Sequence, residues 1–490
     1  RLHDWAETHL DESMFAPLFD ARTGRPSVSP VHTFLALLVQ MEKGYSDREM
    51  EETSRFDDRV KLAILAGRDF EGIDAVTLCD HRRRFLQHGI GELMLEATLA
   101  SAKEAGLFSP ERSQIVDSFL IHGGAAVQDT YTLIRKAILR VLAVARMHEL
   151  EVELSPVLKR TDYAQPGKPK IDWEDPEARR ALLQELVDDA LALVAKARAL
   201  PKLPEDLRAM VDLLERVATQ DIERDPDGTV RLKRGVAKDR VISVVDPEMR
   251  HGHKTASNRA DGYKAHVMTG GTQHQLVTAV EVTPANAPDD AKLEAMLETQ
   301  DQQGHRPEEV LGDSAYFDVA RSERQAEKGT QIVAKAPPAV NREGYFSKEA
   351  FAFDAEAGTL TCPGEQTVRF DPGRLQAHKE FVVSFPAEAC GACPLKARCT
   401  PAAARQVTMH PYEAALREAR AIQKTPAFRA RYRLRARIER IVRLLKTHGA
   451  RKARYWGRIK VRFQLLLAAV NHNVKEVMAA GPPVGEVCPA

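Results

Sequence analysis

The sequence predicts an α/β protein in which a mixed β-sheet is flanked by helices and preceded by a helical region. The first hundred or so residues contain helix start and stop signals in close succession. From about residue 240 to 340, short apolar segments bounded by turn residues alternate in part with a helical segment, as in α/β domains. Between these regions, the stretch from 128 to 221 has helical periodicity, which predicts a further helical segment.

Capping residues mark the helices of the N-terminal region. Ser29, followed by a proline, predicts a helix start, and Gly44 predicts its end. Ser46 and Glu49 form a capping-box pair that opens a second helix. Asp74 is the expected cap of a third helix, which carries a short basic face made of Arg82, Arg83 and Arg84. We interpret this face as a DNA contact because clustered basic residues fit a phosphate backbone.

The strand candidates of the sheet are short apolar runs, three of which end in aspartates, namely Asp117, Asp246 and Asp313. A helix is expected over 289–302, between the later strands. In chain order, the predicted strands cover 115–117, 241–245, 263–267, 276–282, 310–313 and 332–334.

Length and composition limit the class of protein. The chain has 490 residues, of which 43% are hydrophobic and 29% charged, which is typical of globular proteins. The length predicts about two to four domains. No apolar run approaches the roughly 18 residues of a membrane span, and no signal-peptide pattern opens the chain, so we expect a cytoplasmic protein without a membrane partner.

The near-neutral total charge conceals opposite local charges. Lys and Arg number 71 and Asp and Glu 70, which gives a formal net charge of +1. Residues 401–480 contain 19 basic and four acidic residues, a local charge of +15, whereas 151–230 contain 12 basic and 18 acidic residues, a charge of −6. A block as basic as the first can bind DNA by phosphate neutralisation, so the sequence predicts DNA contact near the C-terminus.

One stripe of polar side chains stands out in this basic block. Thr425 and Gly449 frame a predicted helix. Within it, residues at relative offsets of 0, 3, 7 and 14 fall on a face about 60° wide, and they are Tyr432, Arg435, Glu439 and Lys446. The opposite, packing face is predicted to consist of Leu434, Ile438, Ile441 and Leu445. A tyrosine, two cations and an acid on one face suit binding of a polyanion or a metal.

The spacing Tyr-x2-Arg-x3-Glu-x6-Lys resembles the signature around the last acid of one large group of DDE transposases, which are bacterial insertion-sequence enzymes with an RNase H-like core. The segments ending at Asp117 and Asp313 resemble the strands of the first and second acids. The resemblance implies the following division: a helical DNA-binding domain (1–110), the first core strand (111–124), a helical insertion (125–238), the RNase H-like core (239–340), a Cys-rich insertion (341–410), catalytic helices (411–480) and a tail (481–490).

The same resemblance implies the chemistry of the site. Asp117, Asp313 and Glu439 would be catalytic ligands of two Mg²⁺ (or Mn²⁺) ions, about 4 Å apart, that stabilise the attacking and leaving oxygens of a phosphoryl transfer. Lys446 and Arg435 would bind phosphates near the cleaved bond, and Tyr432 would position a phosphate or pack on a sugar.

The first acid has two candidates. The family usually has Thr two residues after this acid, whereas this chain has Phe119. Asp246 ends a longer apolar run, 241–245, and an RNase H-like core expects its first acid on such a strand. We prefer Asp117 by the family pattern and keep Asp246 as the rival.

A cysteine cluster forms a second constellation. Four of the six cysteines lie within one short stretch, namely Cys362, Cys390, Cys393 and Cys399. Four thiolates suit a closed tetrahedral Zn²⁺ site, although free thiols in a reducing compartment are the alternative. We favour structural zinc here.

The sequence is compatible with three functions. The leading hypothesis is a transposase that binds the ends of an insertion sequence as a homodimer or larger assembly on double-stranded DNA, at the nucleoid. The alternatives are a metal-dependent nuclease of the same fold without strand transfer, and a catalytically inactive DNA-binding protein derived from a transposase.

Overall fold

The computed structural model describes residues 2–18, 28–109, 112–253, 259–271, 273–339, 344–376 and 379–480. The predicted tail, 481–490, lies outside the described residues. Helices and a mixed sheet make up the described chain, in agreement with the predicted α/β class.

Among the described residues, six strands form the main sheet. The central strand, Gln114–His122, pairs antiparallel with Arg259–Gly270 and parallel with Glu309–Leu311. Gln331–Val333 pairs parallel with Glu309–Leu311 on its other side. Two further strands pair antiparallel with Arg259–Gly270, namely Arg250–His253 and Leu276–Pro284. An antiparallel half and a parallel half therefore meet at the central strand.

The central strand is covered on both faces. Successive strand residues point to opposite faces, so Asp117 shares a face with Ile115 and Phe119. Ile115 packs in a cluster with Ile438, and Phe119 belongs to the largest core. Val116, on the opposite face, packs with residues of helix Leu293–Gln302. Helices therefore flank the sheet, and a second surface helix, Val319–Glu327, follows on the chain.

The N-terminal helices begin and end at the predicted caps. Gly44 has φ +73° after the first predicted helix, Ser46 and Glu49 form the reciprocal capping box, and Asp74 accepts bonds from two backbone N–H groups. The elements of this region are Leu2–His9, the 3₁₀ helix Glu12–Leu18, Pro30–Lys43, Asp47–Phe56, Asp58–Ala63, Ala75–Gln87 and Ile90–Glu104.

The N-terminal region shares its core with the rest of the molecule. Its buried side chains form one cluster with the sheet and with the C-terminal helix, Arg458–Ala480. The Nδ2 group of Asn471 in that helix donates to the carbonyl of Leu38 at 2.9 Å. The described residues of the N-terminal region, 2–18 and 28–109, are consequently packed against the sheet.

The segment that was predicted to be a helical insertion has its own core. Its helices bury leucine and valine faces against one another, and its hairpin closes the unit. Its elements are Thr130–Met147, Glu151–Leu154, Pro176–Arg198, Glu205–Gln220 and the strands Ile222–Arg224 and Val230–Leu232, with single 3₁₀ turns at Ser155–Val157 and Asp162–Ala164.

The predicted strand 241–245 is wrong. The segment is buried, but among the described residues it belongs to no sheet. The side-chain amide of Gln220 donates to the carbonyl of Val241 and accepts from its N–H, and Gln128 accepts from the N–H of Val244. Val241 and Val244 pack into the core of the insertion. The apolar run therefore reflects burial, with glutamine side chains in place of a strand partner.

The predicted helix 289–302 begins later than expected, at Leu293, while the other predicted strands of the sheet are present. The cysteine-rich segment folds as a small unit around Phe351, Leu360 and Phe381. Its elements are Lys348–Ala350 (3₁₀), Ala352–Asp354, Thr359–Thr361, Thr367–Arg369, Gly373–Gln376, Phe381–Ser384, Ala387–Gly391, Lys396–Arg398 (3₁₀) and Gln406–Met409.

After helix Glu413–Ile422, the predicted helix between Thr425 and Gly449 is present; we call it the Glu439 helix. Thr425 caps it by accepting from the N–H of Phe428, and Gly449 ends it with φ +96°. Its winding varies along Pro426–Tyr432 (α), Arg433–Ala436 (3₁₀), Arg437–Leu445 (α) and Lys446–Ala450 (π).

The prediction is wrong for one residue of the packing face. Ile438, Ile441 and Leu445 are buried, but Leu434 is 37% exposed. Leu434 lies in the 3₁₀ turn, and the tighter winding rotates it away from the face that the residues further along the helix share.

Candidate active site

Two of the three predicted acids stand two residues after a pair of matched positions in two parallel strands. The register pairs Ile115 with Leu311. Asp117 and Asp313 each follow two residues later, so both project from the same end and toward the same face. Asp117 is within the central strand, and its side chain is 13% exposed. Asp313 follows its strand and caps the next turn by accepting from the N–H of Ala315 at 2.8 Å.

The third acid lies on the Glu439 helix, which crosses this face of the sheet. Ile438 packs in one buried cluster with Ile115 and Leu311. Nη1 of Arg435 lies 3.8 Å from Oδ2 of Asp117, and its Nη2 lies 3.6 Å from Oε1 of Glu439. The side chain of Glu439 is 66% exposed. One guanidinium thus stands between the buried acid of the strand and the exposed acid of the helix.

Tyr432 borders the same acids. Its ring stacks on Phe428 with a centroid distance of 5.6 Å, and Nζ of Lys335 lies 4.7 Å from its centroid. Burial raises the pKa of the Tyr432 hydroxyl, and the carboxylates of Asp313 and Asp117 raise it further, against the opposing effect of Arg435. The phenol therefore remains protonated at neutral pH and can donate a hydrogen bond.

Phe119, where the family usually has Thr, has a clear position. Its side chain is buried at 3% exposure, and Nζ of Lys446 lies 5.1 Å from the centroid of its ring. A cation above an aromatic face is attracted by the ring quadrupole. The ring thus holds the lysine beside the central strand, two residues along from Asp117.

An open groove of about 800 Å³ adjoins Glu439. It is lined by Leu120, His122, Glu439, Val442, Arg443, Lys446, Thr447 and Arg451. The loop after the Glu439 helix borders the groove. It is joined to the central strand by two hydrogen bonds, since the N–H of His122 donates to the carbonyl of Arg451 and the carbonyl of His122 accepts from the N–H of Ala453. Sequence reasoning missed His122, Arg443 and Arg451; the +15 charge of 401–480 was a signal for the two arginines, and no signal pointed to His122.

The rival first acid has different surroundings. Asp246 is 1% exposed, and Oδ1 accepts a hydrogen bond from the hydroxyl of Tyr263 at 2.5 Å. The same hydroxyl accepts from the N–H of Gly457 at 3.1 Å. Burial raises the pKa of Asp246. Its other carboxylate oxygen, Oδ2, is buried and has no hydrogen-bond partner among the described residues.

The three N-terminal arginines do not form one basic face. Arg82 is buried, and its Nη2 lies 2.6 Å from Oδ1 of Asp47. Arg84 is half-buried and donates to the carbonyl of Leu18. Arg83 is exposed, in an ion pair with Asp80 at 3.1 Å. Arg82 was expected on the surface, but it is buried because it pairs with Asp47, 35 residues earlier in the chain.

The four cysteines of the cluster line one small cavity of about 30 Å³. The N–H of Arg405 donates to Sγ of Cys390 at 3.5 Å. Burial raises the pKa of the Cys399 thiol, Arg405 lowers it, and the other three cysteines raise it further. The four cysteines therefore line one pocket.

Neither candidate metal centre has a complete set of ligands in place. Among the described residues, no group of three or more His, Cys, Asp and Glu side chains converges closely enough to hold a metal ion. At the acids, the donor type fits Mg²⁺, which prefers carboxylate oxygens, but Arg435 occupies the space between Asp117 and Glu439. Ion binding there requires this guanidinium to move.

No helix of the described residues is long and apolar enough to cross a membrane.

Two segments match known protein families. Residues 361–478, which include the Glu439 helix, match a family described as a transposase DDE domain, and residues 1–84 match one described as a transposase domain (DUF772). Asp117 and Asp313 lie outside both matched segments. Comparisons with curated proteins and with solved structures gave no match. The two family matches support an insertion-sequence DDE transposase.

Proposed function

We propose that this protein is a DNA transposase with an RNase H-like core, which cleaves DNA at the ends of an insertion sequence and joins them to a target. The observation that carries the proposal is that Asp117 and Asp313 each stand two residues after the paired positions Ile115 and Leu311 of two parallel strands, while Arg435 lies 3.8 Å from Asp117 and 3.6 Å from Glu439. A mixed sheet with helices on both faces, and an acid on its central strand, supports the RNase H-like assignment.

The groove beside Glu439 is the proposed path of the DNA strand. Arg443, Lys446 and Arg451 line it, and cations in a groove attract the phosphate backbone. The exposed indole of Trp456 lies on the same basic loop and offers an apolar surface to a sugar or a base. In the N-terminal region, Arg83 is the exposed candidate for a further phosphate contact.

The side chains of this site have distinct tasks in phosphoryl transfer. Asp117, Asp313 and Glu439 would hold divalent ions, which when bound neutralise the charge that develops on the attacking and leaving oxygens. Lys446, held against Phe119, binds a phosphate oxygen of the strand. Tyr432, which stays protonated, donates a hydrogen bond to a second phosphate oxygen. Arg435 leaves the acids and pairs with phosphate once DNA and ions are present.

The cysteine pocket is the proposed site of a structural zinc ion. Cys362, Cys390, Cys393 and Cys399 supply the sulfur donors that Zn²⁺ prefers, and the N–H of Arg405 stabilises one thiolate. The ion would hold together a unit whose hydrophobic core is small.

Both ends of an element must be processed together, so we propose that the protein acts as a homodimer or larger assembly on double-stranded DNA, at the nucleoid. Hydrolysis of one P–O bond leaves a free hydroxyl on the cleaved strand. The same hydroxyl is the nucleophile that joining requires, so one active site serves both steps.

A single assay separates the three hypotheses. Purified protein is incubated with Mg²⁺, labelled DNA that carries both sequences flanking the gene, and a supercoiled target plasmid. Cleavage at the element boundaries with label joined to the plasmid is the expected result. Cleavage without joined products would favour the nuclease, and bound but uncleaved DNA would favour the inactive DNA-binding protein.

A further inference from the structure

Glu309 is a buried carboxylate at the start of the strand that leads to Asp313. It is the first residue of Glu309–Leu311 and is 2% exposed. Taking a carboxylate out of water is costly unless cations and hydrogen-bond donors surround it. Two side chains approach the two oxygens of Glu309, and each belongs to another part of the candidate active site.

The first partner ties Glu309 to the central strand. The hydroxyl of Ser113 donates to Oε1 of Glu309 at 2.5 Å. Ser113 directly precedes the strand Gln114–His122, on which Asp117 lies. This hydrogen bond therefore joins the starts of the two strands that lead to Asp117 and Asp313.

The second partner ties Glu309 to the Glu439 helix. Nε of Arg431 forms an ion pair with Oε2 of Glu309. Arg431 lies eight residues before Glu439, which is about 12 Å along the helix axis. Its side chain is 53% exposed, so it reaches from the surface of the helix to a buried acid of the sheet. One carboxylate thus contacts, or belongs to, the elements that carry all three acids.

The helix is interrupted between Arg431 and Glu439 by the 3₁₀ turn Arg433–Ala436. Beyond this turn, Ile438 is buried against the sheet, and before it Phe428 packs against the same cluster. A 3₁₀ stretch changes the rotation of the side chains that follow it. The place of Glu439 consequently depends on what holds the helix before the turn, which is Phe428 together with the ion pair of Arg431.

The ion pair contributes direction more than stability. A buried ion pair is weak evidence for stability, because desolvation of the charges can exceed the Coulombic gain. Hydrogen bonds and ion pairs to a carboxylate are directional, however, and both oxygens of Glu309 are engaged. With one oxygen on Ser113, the other fixes where the guanidinium of Arg431 stands.

We propose that Glu309 and Arg431 are positioning residues, which set the place of Glu439 over the sheet by tying its helix to the starts of both acid-bearing strands. The proposal rests on the proposed function, because it takes the three acids as one site. Neither residue touches the reacting atoms. A displacement of about 1 Å in a catalytic group can lower the rate about 100-fold, so this contact affects the chemical step.

The test is the rate constant of Mg²⁺-dependent cleavage of the gene-flanking DNA by the full chain, measured with the DNA fully bound. We expect Glu309→Gln and Arg431→Gln each to lower it about 10- to 100-fold. The Kd of DNA, measured without divalent ions, and the circular dichroism spectrum should stay those of the wild type. Arg429→Gln is the matched control, because it removes another exposed arginine from the same helical segment and should keep the wild-type rate.

Two further variants test whether the residues act together. The double variant Glu309→Gln/Arg431→Gln should be no slower than the slower single variant, because both changes break one contact. Arg431→Lys keeps a cation that can reach the carboxylate, so it should recover part of the rate lost in Arg431→Gln. A double variant that loses the product of the two single losses would contradict the proposal.

A phosphate contact by Arg431 would give the opposite result. Glu309→Gln would then release the arginine, tighten DNA binding and leave the rate intact, which would overturn the proposal. Asp117→Asn separates this failure from failure of the proposed function. If Asp117→Asn abolishes cleavage but Glu309→Gln and Arg431→Gln do not slow it, only the positioning role is refuted. If Asp117→Asn cleaves like the wild type, the ligand set of the proposed function is refuted.

Discussion

Nη1 of Arg435 faces Oδ2 of Asp117 across 3.8 Å, and the same guanidinium reaches Glu439 at 3.6 Å. Without ions, this arginine offsets the repulsion between acids that lie on different elements. A guanidinium and a divalent cation cannot occupy the same position, so the arginine competes with the metal.

Removing this competitor should strengthen metal binding. We expect Arg435→Gln to bind Mn²⁺ up to about fivefold more tightly, since partly exposed ion pairs are worth about 0.2–1 kcal/mol. DNA cleavage should fall, because a phosphate contact is lost. Titration calorimetry with Mn²⁺ measures the first effect. Arg433→Gln, an exposed arginine on the same helix, should leave the affinity unchanged; weaker binding by Arg435→Gln would contradict the account.

The salt dependence of DNA binding distinguishes the contribution of Phe119 from that of Lys446. Phe119→Leu keeps an apolar side chain but removes the ring beneath the ammonium, so we expect DNA affinity to fall about two- to fivefold, as for a cation–π contact of 0.5–1 kcal/mol. The salt slope of DNA binding should stay the same, because the charge remains. Lys446→Ala should lower that slope by about 0.9. Equal slopes for wild type and Lys446→Ala would show that this lysine does not neutralise a phosphate.

His266 should make the fold sensitive to mild acid. Burial lowers its pKa to about 4, although the carbonyl of Asp289 opposes this shift. Nδ1 donates to that carbonyl and Nε2 accepts from the hydroxyl of Thr283, as in a neutral imidazole. The unfolded chain has a His pKa near 6.5, so it binds the proton first as the pH falls. The contribution of the neutral His266 to the free energy of unfolding is therefore complete above pH 6.5 and is lost as the pH falls toward 4.

The loss due to His266 amounts to at most about 3 kcal/mol. Urea denaturation between pH 7.5 and 4.5 measures it. The wild type should lose stability over this range more steeply than His266→Gln, which has no group to protonate. Parallel curves for the two proteins would mean that His266 is not buried in its neutral form.

The cysteine pocket predicts one zinc ion per chain. Metal analysis of protein purified without chelator should give a stoichiometry near one, and removal of the ion should lower the Tm of the cysteine-rich unit, because metal binding contributes to folding. Cys390→Ser should lose the zinc. Cys79→Ser is the control, since Cys79 is an exposed cysteine in the N-terminal region. If the wild type is purified without zinc, and chelator leaves its Tm unchanged, the alternative of four free thiols is favoured.

Local signals in the sequence predicted the local features of the site. The stripe of Tyr432, Arg435, Glu439 and Lys446 follows from helical spacing alone, and caps such as Ser46 with Glu49 depend on residues three apart. These interactions lie within one helix, so no knowledge of the rest of the fold was needed.

Features that depend on distant partners could not be read from the sequence. Asp117 and Asp246 both end apolar runs, and only the pairing of Ile115 with Leu311 distinguishes the strand from the segment that packs on the insertion. The burial of Arg82 depends on Asp47, and the groove depends on a loop that joins His122. In each case the deciding contact joins residues far apart in the chain.

The central claim is that Asp117 is the first acid of a metal-dependent DNA-cleaving site, and one comparison tests it most directly. Mg²⁺-dependent cleavage of the gene-flanking DNA is measured for the wild type, Asp117→Asn and Asp246→Asn, at a temperature where all three are folded by circular dichroism. The account predicts that Asp117→Asn abolishes cleavage and that Asp246→Asn retains it. Cleavage by Asp117→Asn, with none by Asp246→Asn, would contradict the account.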